Sequence, residues 1–397
     1  MTPKIIELKE YQPTKLPADA LSSELGEKLW RTYRNKGIDV QFPNPRTANQ
    51  WEITSQGQIG YIPLSPEVAL SLQPKVPFSS LFAMLEYAYN LKSFRLLEGQ
   101  SHCNSLNEFY ERFADVLARR ILDRTRQGLY RTYLNKTERL SCLRGRSDIT
   151  HQIRRPWNIK PRCHYQEQTA DMEDNQILLW TLRQILQRGL VRKNVSINVR
   201  RAYKALHGTI SLESFSTWDC IGRNYHRLND DYRTLHALCR FFLDQTGPSI
   251  QHGDHGMVPF LVNMNQLFEK FVAEWLKTNH KELQANNLMV REQVTVKLSE
   301  TLNFRIDLVL EDITTNTVRY VLDTKYKAPR VAAAGDVQQI IAYAETKNTT
   351  EAVLIYPQEL EQPLYTKPNQ IRVRSLAFTI NDDIDQGGNS FINQLLT

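Results

Sequence analysis

Two short apolar runs toward the C-terminal end each carry an aspartate, and this pairing limits the fold more than any other feature of the 397-residue chain. One reads Arg305-Ile306-Asp307-Leu308-Val309-Leu310, the other Tyr320-Val321-Leu322-Asp323-Thr324-Lys325. Such runs, joined by the polar stretch Glu311–Thr317, predict two buried strands and a turn. A hairpin of that kind sets the two carboxylates side by side. Lys325 falls on the Asp323 face, because residues two apart share a side of a strand. Two carboxylates and an ammonium at a strand end suit a hard cation and an activated water, the requirements of phosphodiester cleavage.

Asp-x-Lys alone is a common surface pattern, and an exposed Asp323–Lys325 ion pair is the plain alternative. Three features argue against it. Asp323 closes an apolar run, Asp307 lies in a comparable one, and Glu269 projects from a preceding apolar-striped helix, Asn265-Gln266-Leu267-Phe268-Glu269-Lys270-Phe271. Buried acids need partners, and a metal ion satisfies several at once.

The remaining composition narrows the class. Hydrophobic residues make up 41% and aromatics 10%, which fits folded domains rather than disorder. No run reaches the length of a membrane span and the first residues lack a signal-peptide core, so a cytoplasmic protein with no membrane partner is expected. Five scattered cysteines without a CxxC pair exclude a disulfide framework or structural zinc as the leading reading. His252-Gly253-Asp254-His255 reads as a polar interdomain loop.

Lys and Arg number 50 against 43 Asp and Glu, a formal charge of +7. The excess is concentrated. Residues 119–162 hold thirteen cations, among them Arg144, Arg146, Arg154 and Arg155, with Tyr130, Tyr133 and Trp157 between them. This segment is either a solvated face or a surface for phosphates or a partner.

Along the chain, Trp51–Thr54 and Gln58–Leu64 alternate as strands, and Phe78–Asn90 has helical spacing. Helices are predicted from Leu106 to about Gln127, at Asn175–Gln187 and at Tyr225–Asp244. The Gly- and His-rich stretch Gln251–Pro259 marks a boundary. Beyond it come a helix from Met264, strands at Leu288–Val296, Phe304–Leu310 and Thr317–Asp323, a helix at Val337–Glu345 and a strand at Ala352–Tyr356. The expected fold class is α+β and multidomain: a small α+β region at 1–100, a mostly helical middle region at 101–255, and a C-terminal α/β domain with a central mixed sheet at 256–397.

The order helix Glu, strand Asp, strand Asp-x-Lys, helix Gln339-x-x-x-Tyr343 resembles the PD-(D/E)xK nuclease superfamily. More narrowly, the chain resembles the McrC family, the nuclease subunits of McrBC-type modification-dependent restriction systems. Met264–Val272, Asp323-Thr324-Lys325-Tyr326-Lys327, Leu143-Arg144-Gly145-Arg146-Ser147-Asp148, Leu72-Gln73-Pro74-Lys75-Val76 and Met84-Leu85-Glu86-Tyr87 carry the likeness. Ile306 stands where the superfamily usually has proline, and Gln338 where an aromatic residue is usual. No usable match extends past residue 360.

The resemblance implies a magnesium-dependent endonuclease, with manganese a substitute. It assigns Asp307, Asp323 and the Thr324 carbonyl as metal ligands, with Glu269 completing the shell directly or through water. Lys325 would orient or deprotonate the attacking water, and Gln339 and Tyr343 would position it or the DNA backbone. The substrate would be methylated, double-stranded DNA carrying 5-methylcytosine. No GxxxxGK[ST] loop occurs, so no nucleotide is expected on this chain. GTP hydrolysis would belong to an McrB-like AAA+ ring that the upstream regions dock to and stimulate. A stand-alone PD-(D/E)xK repair or recombination exonuclease and a non-catalytic activator of an AAA+ NTPase are the other readings.

Overall fold

The computed structural model describes residues 4–65, 67–89, 106–155, 157–189, 191–244, 260–279, 281–297, 303–327, 330–380 and 383–397. Two compact units emerge, Met1–Leu106 together with Gly247–Thr397, and Asn107–Thr246. The first and last of the three regions read from the sequence therefore share one unit. The expected boundary loop at 251–259, its histidines and Cys103 lie outside the described residues.

In the first unit a four-stranded sheet runs in the order Lys4–Lys9, Val68–Gln73, Gln58–Pro63, Phe260–Asn263. The outer pair Lys4–Lys9 and Val68–Gln73 is parallel, while Phe260–Asn263 lies antiparallel to Gln58–Pro63. A second sheet orders Thr14–Leu16, Trp51–Ser55 and Ile38–Gln41, with the helix Ser23–Tyr33 preceding Ile38 in the chain. Trp51–Ser55 alternates buried and half-buried residues, as its sequence predicts. Leu29, Tyr33, Ile38, Trp51 and Ile53 fill this core with Leu8, Leu70 and Leu72. Gly26 lies so close to the Trp51 ring that no β-carbon fits there. The helix Ser23–Tyr33 and the strands at Lys4–Lys9, Thr14–Leu16, Ile38–Gln41 and Val68–Gln73 go beyond the single helix and two strands read from the sequence.

A six-stranded mixed sheet follows, ordered Leu288–Lys297, Asn303–Asp312, Thr317–Thr324, Glu351–Tyr356, Arg372–Ala377, Tyr365–Thr366. The first three strands are antiparallel, and Thr317–Thr324, Glu351–Tyr356 and Arg372–Ala377 are parallel. Ile306, Val309, Val321, Ala352 and Leu354 form its core with Ile340 and Tyr343 of the helix Ala334–Thr346. The predicted helix and four strands are all present within a few residues. The tail beyond 360, silent in sequence, adds two strands and the helix Ile384–Leu396.

One sheet joins the N- and C-terminal regions, and side-chain contacts add to it. Tyr87 of the helix Phe78–Ala88 stacks edge-on against Phe271 of Met264–Thr278 with centroids 5.8 Å apart. Its hydroxyl bonds Asp385, which also accepts from the Trp275 indole at 2.9 Å.

The second unit is mostly helical, and its basic segment adds a small sheet that the sequence did not announce. The helices Leu106–Gln127 and Glu173–Arg188 stand where predicted, the latter stopped by Gly189 in the left-handed region. A further helix, Lys193–His207, was not legible. The predicted helix at Tyr225–Asp244 begins only at Asp231, because Asn229 captures the His226 N–H at 2.8 Å and holds a turn. Between Gln127 and Glu173 the basic segment is a three-stranded antiparallel sheet, ordered Thr132–Arg139, Arg162–Thr169, Arg146–Ser147, with the short helix Ile149–Arg154. Among the described residues no helix is long and apolar enough to cross a membrane. Cys142, Cys163, Cys220 and Cys239 are unpaired thiols.

Candidate active site

Register brings the two aspartates together. Leu308 pairs with Leu322 across the central strands, so Asp307 and Asp323 lie one residue further on. The predicted turn is real: Asp312 accepts from the Thr314 and Thr315 N–H groups at 2.9 and 3.1 Å, and Asn316 takes the left-handed conformation. Asp307 Oδ2 accepts both the Thr324 backbone N–H and the Thr324 hydroxyl at 2.9 Å. Those two bonds tie one acidic strand to the end of the other.

Asp323 is only 2% exposed, on a strand whose last five residues are buried. It does pair with Lys325, Nζ to Oδ2 at 2.7 Å, but inside the fold rather than on an open surface. The Lys325 ammonium also donates to Gln339 Oε1 at 3.1 Å, and the Gln339 amide donates to the Tyr343 hydroxyl at 2.7 Å. One helical turn separates Gln339 from Tyr343, which is why the two meet. Burial alone would lower the Lys325 pKa, but the adjoining Asp323 charge outweighs it and holds the group above the usual lysine value.

Glu269 faces Asp307 from the helix Met264–Thr278. Burial, then repulsion from Asp307, pushes its carboxyl up to about 7. Burial and the same Asp307 charge raise Asp323. Gln293 donates to Glu269 Oε1 at 3.2 Å from a left-handed position in the strand Leu288–Lys297.

The donor set fits a hard divalent cation in its chemistry, since every candidate ligand is an oxygen and the acids repel one another. Its side chains do not close into a cage. Among the described residues no three or more His, Cys, Asp or Glu side chains gather tightly enough to hold an ion. Asp307 is instead turned toward Thr324.

Sequence reasoning missed Asp336, which meets Lys327 Nζ at 2.5 Å and Lys325 Nζ at 3.9 Å. Its signal was present: Asp336, Gln339 and Tyr343 recur at helical spacing on one face. Ile306, in the usual proline position, is fully buried, and Gln338 is exposed.

The four arginines singled out lie elsewhere, in the second unit, and all are exposed. Arg144 meets Glu167 at 3.3 Å and lies over the Tyr165 ring at 4.3 Å. Gly145 sits at φ +67° against the His164 carbonyl, where a β-carbon would collide, which accounts for glycine in Leu-Arg-Gly-Arg. Around these cations Leu143, Ile149, Ile153, Trp157 and Ile159 are also exposed, Ile159 by 95%. Not every cation of the segment is free: Arg119 pairs with Asp115 and Arg124 with Asp231.

Fold and site thus define an α+β protein with acids and a lysine converging at strand ends of a mixed sheet. The profile of the McrBC 5-methylcytosine restriction system component family matches residues 53–357, well over half of the sequence. The chain belongs to that family, and within it is McrC-like. The type IV methyl-directed restriction enzyme EcoKMcrBC of Escherichia coli (strain K12) is 21% identical over 267 residues, 64% of this chain and 74% of that protein. A refined half-complex of Thermococcus gammatolerans McrB AAA+ hexamers with bound McrC contains a chain that aligns with a TM-score of 0.57 at 18% identity, over 98% of this chain and all of that one. The cryo-EM structure of the Thermococcus gammatolerans McrBC complex aligns over 70% of this chain and 88% of that one, at 21% identity and a TM-score of 0.48.

Proposed function

We propose that this protein is the DNA endonuclease subunit of a McrBC-like modification-dependent restriction system, with a PD-(D/E)xK site formed by Asp307, Asp323, Lys325, Glu269, Gln339 and Tyr343. The observation that carries the reading is the run of contacts Asp307–Thr324 and Asp323–Lys325–Gln339–Tyr343, which spans two strands and a helix. An incidental ion pair needs no such relay. Asp307, Asp323 and the Thr324 carbonyl would hold magnesium, with Glu269 beside them. When bound, the ion would supply charge stabilisation and a more acidic water. Lys325 orients the attacking water and offsets charge developing on the phosphate, and Gln339 fixes the ammonium by accepting from it. Tyr343 in turn accepts from the Gln339 amide and sets that side chain's rotamer.

The same reading gives the chain a GTP-hydrolysing AAA+ partner, which the assembly formed by the aligned Thermococcus protein supports. The exposed cations and apolar residues of the basic sheet are the face offered to DNA phosphates or to that ring. A cleavage assay on methylated double-stranded DNA, with and without the cognate AAA+ protein, GTP and magnesium, tests the proposal. Cutting that needs all three supports it. Wild-type cutting by Asp323→Ala would remove it.

A further inference from the structure

The structure holds a second cluster next to the Asp-x-Lys element, built from the N-terminal region around the buried Glu10 and Tyr326. Glu10 and Tyr11 follow the first strand, and Glu10 is 3% exposed. Tyr11 takes φ +59°, a conformation costly for a bulky residue, and its N–H bonds the Ser55 carbonyl at 2.8 Å. That turn aims its hydroxyl at the Tyr326 carbonyl, 3.2 Å away, and within 3.5 Å of Asn265 Oδ1. Tyr326 directly follows Lys325 and is 1% exposed; Asn265 opens the helix that carries Glu269.

Other contacts close the cluster. The Tyr326 hydroxyl reaches Glu10 Oε2 at 3.5 Å, and the Lys75 N–H donates to the same oxygen at 3.3 Å. Lys75 Nζ lies over the Tyr326 ring at 4.3 Å and the Tyr11 ring at 4.8 Å. The Tyr326 ring packs against Phe268 with centroids 5.9 Å apart. Gly57, at φ +79°, accepts the Met264 N–H on its carbonyl at 2.8 Å, and a β-carbon there would meet both Asn265 and the Tyr11 hydroxyl.

We propose that Tyr11, supported by Glu10 and Lys75, is a positioning residue for DNA cleavage: it fixes the Tyr326 backbone relative to the helix Met264–Thr278, and so sets Lys325 and Glu269 relative to each other. The inference rests on the proposed nuclease reading. It explains why a tyrosine is held in a left-handed turn and why a glutamate is buried beside it, far from the acidic strands in sequence. Misplacement by a fraction of an ångström is enough to slow chemistry without loosening substrate.

The test uses the full chain with its cognate AAA+ GTPase, GTP and magnesium. In Tyr11→Phe the expected result is a fall in kcat of about tenfold, with KM for DNA, GTPase stimulation and Tm unchanged. Lys75→Met, which keeps the stem and removes the ammonium, should move kcat the same way. Wild-type kcat in both variants overturns the proposal. So does a fall in GTPase stimulation and Tm that parallels the fall in kcat, since that marks general structural damage. If the wild type cuts no DNA under these conditions, the nuclease reading falls, and hydrogen exchange at Lys325, whose N–H bonds the Ile355 carbonyl at 2.8 Å, decides the positioning role. Faster exchange there in Tyr11→Phe, with the Glu351–Tyr356 strand otherwise unchanged, supports it; unchanged exchange overturns it.

Discussion

The acidic strand ends and the basic sheet of the second unit use charge in opposite ways. At Asp323 and Lys325 the charges, one buried and one half-buried, are few and bonded in a fixed relay. At Arg144, Arg146, Arg154 and Arg155 they are exposed and numerous, and among the described residues Arg144 alone of the four is joined to an acid, Glu167. Burial makes a charge costly and therefore fixed in place, whereas exposure leaves it cheap and adjustable. Chemistry needs the first arrangement, and attachment to a long polyanion or a protein surface is served by the second.

The sharpest way to break this contrast is at the buried end. Asp323→Ala and Lys325→Ala are expected to cut DNA at least about a thousandfold more slowly while keeping a folded circular dichroism spectrum. If either purified variant cleaves at the wild-type rate, the buried charges are structural only.

Glu10 offers a test of cost. Burial pushes its carboxyl up to about 7 from an ordinary 4.5, so the folded state favours the protonated acid. Its contribution is present below pH 4.5 and declines through pH 7, an effect of up to ~3 kcal/mol. Glu10→Gln should flatten that part of the decline in Tm between pH 5 and 8. A variant with the wild-type pH slope would show that Glu10 is charged throughout.

At the exposed end, Arg144→Ala with Arg146→Ala is expected to weaken DNA or partner binding about tenfold at low salt, and to lower the salt slope if phosphates are bound. Binding and GTPase stimulation equal to wild type across a salt series would make the sheet a solvated face. Arg126→Ala is the smallest case. Its pair with Asp123 is open to solvent on both sides, so Tm should move by no more than the equivalent of about 0.5 kcal/mol.

What could be read in advance follows the same division. Asp307, Asp323 and Lys325 were legible because the apolar runs that carry or precede them mark two strands, whereas Gln339 and Tyr343 were picked out by the family resemblance. Glu10, Tyr11 and Lys75 were not, since they reach Tyr326 across some 250 to 316 positions and no local pattern announces that pairing. The sheet at Thr132–Arg139 was missed for a different reason. Its residues Thr-Tyr-Leu-Asn-Lys-Thr-Glu-Arg are exposed or half-buried throughout, so no alternation of apolar and polar residues marks a strand. The tail strands after residue 360 are short and hold their place by pairing with Glu351–Tyr356 and with each other.

The strand Phe260–Asn263 completes a sheet that otherwise belongs to the first seventy-three residues. The chain therefore leaves one unit near Leu106 and re-enters it near Gly247, and the second unit is an insertion. An insertion can be exchanged like a tool head on a common handle. Changes confined to 107–246 therefore need not disturb the six-stranded sheet that carries Asp307 and Asp323.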